Sequence, residues 1–333
     1  MFGNSKSEIR HPKSNVPLLT STYKAPLLLC NGDVNTIAAP FLRRVKHVKY
    51  MRERITTPDN DFLDIDWLNS DSKKIALIIH GLEASAKESY MKGMAKALYQ
   101  SGYEVAAMNL RGCSGELNKQ LRAYHSGSTD DIATVIRHIL QNHYCDEMVL
   151  VGFSLGGNLA LKYLGENGIA LPSQIRKAMA ISVPCDLEAT AVHLDKPKNF
   201  LYRHRFLKTL KQKALLRIRN RGFPLDENKL SSIKTFRQYD NWFTAPLFGF
   251  TDASDYYSQS SSKQFIKRIT IPTLILIAKD DPFFTEACFP YKECQDHEKV
   301  FLEMPEHGGH VGFILDVPWG NYYSEKRAIE FFS

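Results

Sequence analysis

What this 333-residue chain lacks narrows its class before any motif is considered. No run of 18 apolar residues occurs, so no membrane-spanning helix is expected. The first apolar stretch near the N-terminus is broken by Thr20, Ser21, Thr22 and Lys24, which excludes a secretory h-region. Small residues that a lipoprotein cleavage site would need are missing before Cys30, so no N-terminal lipid anchor is indicated. The six cysteines, Cys30, Cys113, Cys145, Cys185, Cys288 and Cys294, include no C-x-x-C pair and no neighbouring His at metal spacing. They are expected to be reduced and mostly structural. There is no internal repeat, no low-complexity tract and no nucleic-acid-binding motif. The 43 basic residues exceed the 36 acidic ones only modestly, for a net charge of +7. The expectation is a soluble cytoplasmic protein without a nucleic-acid partner. At 44% hydrophobic residues the chain can bury one large α/β body, with room for an inserted subdomain.

What is present is an alternation of short buried strands and helices. Residues 1–46 read as an irregular N-terminal arm. Residues 50–56 and 62–68 are two extended runs joined by Pro58-Asp59-Asn60-Asp61, which predicts an antiparallel hairpin at a sheet edge. From Ile75 onward, strands are expected over 75–79, 105–110, 148–151 and 177–183. Helices are expected over 87–101, 128–142 (with Ser128 as cap) and 154–165. That order predicts a mostly parallel sheet with helices on both faces. Over 184–269 the alternation fails, and the sequence is helical, aromatic and basic, as expected of an inserted cap. The α/β pattern resumes with strands over 273–278 and 299–304 and a helix over 321–332. The body is thus expected at 47–183 and 270–333.

Gly152-Phe153-Ser154-Leu155-Gly156 matches G-x-S-x-G, a weak signal alone. Its setting strengthens it, because the motif follows the buried strand 148–151 and opens a helix. A nucleophile is lifted into a cleft on such a strained turn, and a Cβ at Gly152 or Gly156 would collide with neighbouring backbone. The plainer alternative is a Gly-rich turn with Ser154 as a helix cap.

A serine hydroxyl is a poor nucleophile near neutral pH, so a base must take its proton and a third group must hold that base. Asp280 and Asp281 directly follow the strand 273–278. Pro282 biases the residue before it toward extended backbone, which favours Asp281, although Asp-Asp-Pro is also a common turn. After the last strand comes Pro305-Glu-His-Gly-Gly-His310-Val-Gly312, whose glycines allow a sharp loop that aims an imidazole back at the sheet. His310 is the expected base, and spacing alone leaves His307 open as competitor. The tetrahedral oxyanion needs preorganised donors, for which the N–H groups of Leu155 and Leu82 are expected. His80, at a strand end before Gly81, reads as a brace for that loop.

Several stretches together resemble one family. They are His80-Gly-Leu-Glu83, Asn109-Leu-Arg-Gly-Cys-Ser-Gly115, Arg122-Ala-Tyr-His-Ser-Gly127, Gly152-Phe-Ser-Leu-Gly-Gly-Asn158, Lys162-Tyr-Leu-Gly165, Asp280-Asp-Pro-Phe283 and Gly308-Gly-His-Val-Gly-Phe313. The chain from about residue 25 onward is similar to the YheT-like α/β-hydrolases, relatives of the mammalian ABHD lipases and the yeast ethyl-ester synthases and esterases. The resemblance implies the α/β-hydrolase fold and a Ser154, Asp281, His310 triad. It also implies activity on carboxylic esters or acylglycerols with no cofactor. Ala84 departs from the Gly often found after His-Gly-Leu-Glu, which bears on the shape of the oxyanion loop. For His125 the expected part is to brace a loop near the site.

Within the insertion, ten Lys and Arg residues from Lys196 to Arg221 follow one another with no acid between them. Leu207, Leu210, Ala214, Leu215 and Ile218 recur among them at helical spacing. An amphipathic cap helix follows, with either an ordinary solvated basic face or a peripheral contact with anionic membrane. The expected function is hydrolysis of a small-molecule ester. Transfer of the acyl group to an alcohol, or a non-catalytic membrane- or nucleic-acid-binding role on a hydrolase scaffold, are the alternatives.

Overall fold

Short runs of Ile, Val, Leu and Ala with no internal charge cannot remain in water, and here they pair into one sheet. The computed structural model describes residues 18–315 and 320–333. Its strands are β1 Leu18–Leu19, β2 Met51–Thr56, β3 Phe62–Leu68, β4 Lys74–Ile79, β5 Glu104–Asn109, β6 Glu147–Phe153, β7 Ile175–Ile181, β8 Thr273–Leu276 and β9 Val300–Glu303. Their spatial order is β1-β9-β8-β7-β6-β4-β5-β3-β2. Only the β2–β3 and β3–β5 pairings are antiparallel, so the hairpin ends the sheet at β2. Helix-containing connections join the parallel strands β4 to β9.

The helices in the first half are α1 Gly32–Leu42, α2 Ser89–Gln100, α3 Thr129–Asn142 and α4 Leu155–Asn167. Between β7 and β8 follow α5 Leu187–Leu194, α6 Phe200–Arg221, α7 Glu227–Ser232, α8 Phe236–Tyr239, α9 Ala245–Phe248 and α10 Ala253–Ser260. The chain ends with α11 Tyr291–Cys294 and α12 Tyr323–Phe332.

Alternation along each strand divides the core into two layers. On β4, Ile75, Leu77 and Ile79 face a layer that holds Ile132, Ile136 and Ile139 of α3 and Leu159 of α4. Ala76 and Ile78 face the opposite layer, with Met91, Met94 and Leu98 of α2 and Ala328 and Phe332 of α12. Leu207, Phe236, Phe243 and Tyr256 from the segment between β7 and β8 join the α3/α4 layer. That segment therefore sits as a cap over the face from which α4 projects. All six cysteines are free, and Cys113, Cys185, Cys288 and Cys294 are buried. Among the described residues no helix is long and apolar enough to cross a membrane.

Two expectations are corrected. The arm is not irregular beyond residue 17, because β1 pairs in parallel with β9 and α1 is a helix of 11 residues. Asn31 caps α1 by accepting from Val34 N–H, and Tyr23 Oη donates to the buried Ile314 carbonyl at 2.8 Å. The inner face of α1 is Gly32, Asn35 and Ala39, too polar and small to register as an apolar period. Residues 1–17 of the arm lie outside the described residues. The Ser128 hydroxyl makes no cap bond to α3; it accepts instead from His125 N–H at 3.1 Å, which closes the loop before the helix.

Candidate active site

β6 runs into Phe153, and α4 starts at Leu155, so the single residue between them must reverse the chain. Ser154 does so at φ 52° and ψ −120°, a conformation that costs a non-glycine residue about 1–3 kcal/mol. Close packing holds it there. A Cβ on Gly152 would overlap the Gly156 carbonyl, and one on Gly156 would overlap the Ile79 carbonyl. Ser154 N–H donates to Ile181 O at 2.8 Å, which ties the turn to β7. The neighbouring Asn158 is buried and bonds the carbonyls of Ser126 and Ser260 and the N–H of Ser262. It thereby fixes α4 to the base of the cap.

His310 reaches the same point from the loop after β9. Its Nε2 lies 2.9 Å from Ser154 Oγ, and its Nδ1 lies 2.8 Å from Asp281 Oδ2. A carboxylate only accepts, so the proton of a neutral imidazole belongs on Nδ1, which leaves the Nε2 lone pair for the serine hydroxyl. Asp281 is buried, and its Oδ1 accepts from Phe283 N–H at 2.9 Å. The imidazole stacks on Phe283 at 4.0 Å. Its own backbone N–H donates to Thr36 Oγ1 of α1 at 2.8 Å, and Val311 N–H donates to Ser182 Oγ at 2.9 Å. The competitors form a separate pair: Asp280 Oδ1 accepts from Gly309 N–H, and Asp280 Oδ2 lies 3.2 Å from His307 Nδ1 on the surface. Asp280 thus shapes the loop that carries His310, and His307 does not approach Ser154.

The loop after β4 lies against Ser154, since a Cβ on Gly81 would stand 3.1 Å from Ser154 Cβ. Leu82 N–H makes no hydrogen bond among the described residues. Leu155 N–H opens α4, where first-turn donors have no partner within the helix. His80 braces the loop, as Nε2 accepts from Leu110 N–H at 3.0 Å and Nδ1 bonds Gly81 O at 2.7 Å. Complete burial pushes its pKa down to about 4, so it is neutral and fully engaged. Glu83 N–H donates to Tyr124 Oη, which donates onward to Glu83 Oε1, and Lys213 of α6 pairs with Glu83 at 3.0 Å. α6 is thus joined to the loop after β4 through a lysine.

His125 joins the body to the cap. Its Nδ1 accepts from Gly127 N–H, and its ring packs on Phe248 at 4.3 Å, with burial pushing its pKa down to about 3. Tyr256 Oη accepts from Ser126 N–H and donates to Ser126 Oγ. Of these residues, Thr36, Phe283 and Ser182 carried no sequence signal of a place beside His310. The Tyr124-His125-Ser126 run did stand out as a motif, yet its contacts are with residues far away in the chain.

Two cavities meet at Ser154. One, of about 130 Å³, lies under the cap between Leu82, Leu155, Leu194, Leu210, Phe243 and Phe284. The other, of about 270 Å³, opens between α1 and α6, with Ile37, Phe41, Tyr202 and Arg205 along its walls and Ser154 and His310 at its floor. A possible metal-ligand set, Glu53, His138 and His143, lies elsewhere, on edge strand β2 and the end of α3. It plays no part in this site.

A model of the α/β hydrolase fold matches residues 76–317. The chain is 36% identical over 280 residues to the YheT protein of Escherichia coli (strain K12), an esterase by name, covering 82% of this chain and 81% of that one. It is 30% identical over 315 residues to the phospholipase ABHD3 of Homo sapiens, covering 92% of this chain and 76% of that one. Among solved structures, an esterase from Pyrococcus furiosus superposes with a TM-score of 0.58 at 19% identity, covering 87% of this chain and 97% of that one. That likeness concerns the fold alone. With a sheet, a serine turn and a family match that all agree, the chain belongs to the α/β-hydrolase fold family, in its YheT-like group.

Proposed function

We propose that the protein hydrolyses carboxylic esters, short- to medium-chain acyl esters or acylglycerols, through an acyl-enzyme on Ser154. The observation that carries this reading is the unbroken relay from Asp281 Oδ2 through His310 to Ser154 Oγ, at 2.8 and 2.9 Å. His310 Nε2 takes the hydroxyl proton as Ser154 Oγ attacks the ester carbonyl. Asp281 holds the ring and stabilises the imidazolium that forms. The developing oxyanion meets the N–H groups of Leu82 and Leu155, each worth about 3 kcal/mol in such sites. His310 then returns the proton to the departing alcohol, and a water activated by His310 releases the acid. The apolar cavity under the cap suits the acyl chain, and the larger cavity between α1 and α6 suits the alcohol.

Supporting features lie outside the relay as well. Relatives at 30% identity or above carry the names of an esterase, a phospholipase and a monoacylglycerol lipase. The basic residues of α6 favour a peripheral contact with anionic membrane, whereas its apolar residues Leu207 and Ala214 are buried against the body. Ser154→Ala should abolish both hydrolysis of a short p-nitrophenyl ester and labelling by a fluorophosphonate. Labelling that persists in that variant rejects Ser154 as the nucleophile.

A further inference from the structure

α1 turns its small and polar residues inward and its large apolar ones outward. Gly32, Asn35 and Ala39 are buried, while Val34, Ile37 and Phe41 form one stripe at i, i+3 and i+7 and are 45%, 47% and 78% exposed. The turn before the helix adds Leu27 and Leu28, both almost fully exposed. The first turn of α6 exposes Leu201 beside the second cavity, while Phe200, also exposed, turns toward the groove between α6 and α7. Tyr202 Oη donates to Asp33 Oδ1 at 2.8 Å, which joins the two helices side by side. Single exposed apolar residues are ordinary, but a grouping of this size on adjoining elements marks a surface made to be covered.

We infer that this α1/α6 surface docks on an anionic lipid bilayer, with the mouth of the second cavity facing the membrane. Charge decides the occupant. Lys196, Lys198, Arg205 and Lys208 are exposed on and beside α6, with no acid between Lys196 and Arg221, and Asp33 already accepts from Tyr202. A second copy related by a two-fold axis would bring like-charged surfaces together, whereas anionic headgroups neutralise them. The apolar stripe enters the headgroup and acyl boundary while the cations remain among the phosphates. Ile37 and Phe41 line the same cavity whose floor is Ser154 and His310, so an ester lifted from the bilayer enters directly above the nucleophile. This last point alone rests on the proposed hydrolase activity. The inference differs from a contact made by α6 by itself, because the inserting residues belong to the N-terminal arm.

The test is co-sedimentation of the full chain with sucrose-loaded vesicles of phosphatidylcholine, with and without phosphatidylglycerol. Wild type should bind the phosphatidylglycerol vesicles and bind pure phosphatidylcholine weakly. Val34→Glu and Leu28→Glu, neither of which lines a cavity at Ser154, should each lower partitioning by about tenfold or more, since each removes an exposed apolar group and adds a like charge to the lipid. The Lys198→Glu/Lys208→Glu pair should lower it without altering the apolar face. Circular dichroism and fluorophosphonate labelling monitor folding and the active site. Retained labelling with lost binding supports the docking surface. Wild-type failure to bind, unchanged binding in the Val34 and Leu28 variants, or a dimer in light scattering that Leu28→Glu dissolves overturns it. Absence of labelling in wild type would instead count against the hydrolase reading.

Discussion

The backbone N–H of His310 donates to the hydroxyl of Thr36, 274 residues earlier in the chain, at 2.8 Å. The N-terminal helix α1 thereby holds the loop that carries the imidazole. Thr36 is a positioning residue, and its hydroxyl also donates to Gly32 O. Thr36→Val should reduce kcat on a short ester by about three- to tenfold, the scale of one hydrogen bond, with KM little changed. Thr36→Ser should restore the rate. If the valine variant loses KM and kcat together, or serine fails to rescue, Thr36 acts through packing alone.

The two adjacent aspartates should separate sharply in activity. Asp281→Asn would disturb the tautomer of His310 and is expected to lower kcat by on the order of 10³–10⁴. Asp280→Asn loses the carboxylate that orients Gly309 N–H and faces His307, and should cost far less. Steady-state kinetics on both variants with one soluble ester decides it, and equal losses would sink the assignment.

Acyl-chain preference should follow the cavity under the cap. Leu210 lines it and is only partly buried, so Leu210→Ala enlarges the space with modest loss of stability. The kcat/KM optimum across a series of p-nitrophenyl esters should move to longer chains, by about fourfold for each methylene newly accommodated. An unchanged optimum would mean that the chain goes elsewhere.

His125 predicts a pH dependence of stability. Burial holds it neutral in the native state down to about pH 3, whereas the unfolded chain takes up a proton near its ordinary value of 6.5. Its contribution is present above pH 6.5 and is lost as pH falls. The loss is about 1.4 kcal/mol per unit, or about 2 kcal/mol between pH 6.5 and 5. Urea titrations at these two pH values should show that share of the slope missing in His125→Gln.

Asp240 should act in the opposite sense. It lies buried in the cap, where burial raises its pKa from 3.8 to about 6 despite bonds from Thr244 and Tyr257. The native state prefers the protonated form, so its contribution is fully present below pH 3.8 and is lost as pH rises through 6. Asp240→Asn keeps one oxygen acceptor and turns an amide N–H toward the other hydroxyl, which then accepts, so it mimics the protonated acid and should stabilise the protein by about 2–3 kcal/mol at pH 8, with almost no effect at pH 4. Thermal melts at the two pH values measure the difference.

Local sequence by itself determined the succession of strands and helices along the body and the glycine-flanked turn at Ser154. Val-Leu-Val runs bury themselves wherever they fall, and the Gly152-Gly156 spacing admits little besides a tight strand-to-helix bend. The hairpin at the β2 edge was likewise legible, because turn chemistry and alternation are both short-range. Only the tertiary structure decided which aspartate meets which histidine. Asp280 and Asp281 are neighbours with equal chemistry, and backbone direction at the end of β8 sends one carboxylate to Gly309 N–H and the other to His310. The tertiary structure also laid the small and polar face of α1, not its apolar one, against the loop of His310, and joined Tyr124, His125 and Ser126 to the loop after β4 and to the cap. These relations depend on contacts between residues tens to hundreds of positions apart, and such contacts leave no periodic trace in the segments that make them.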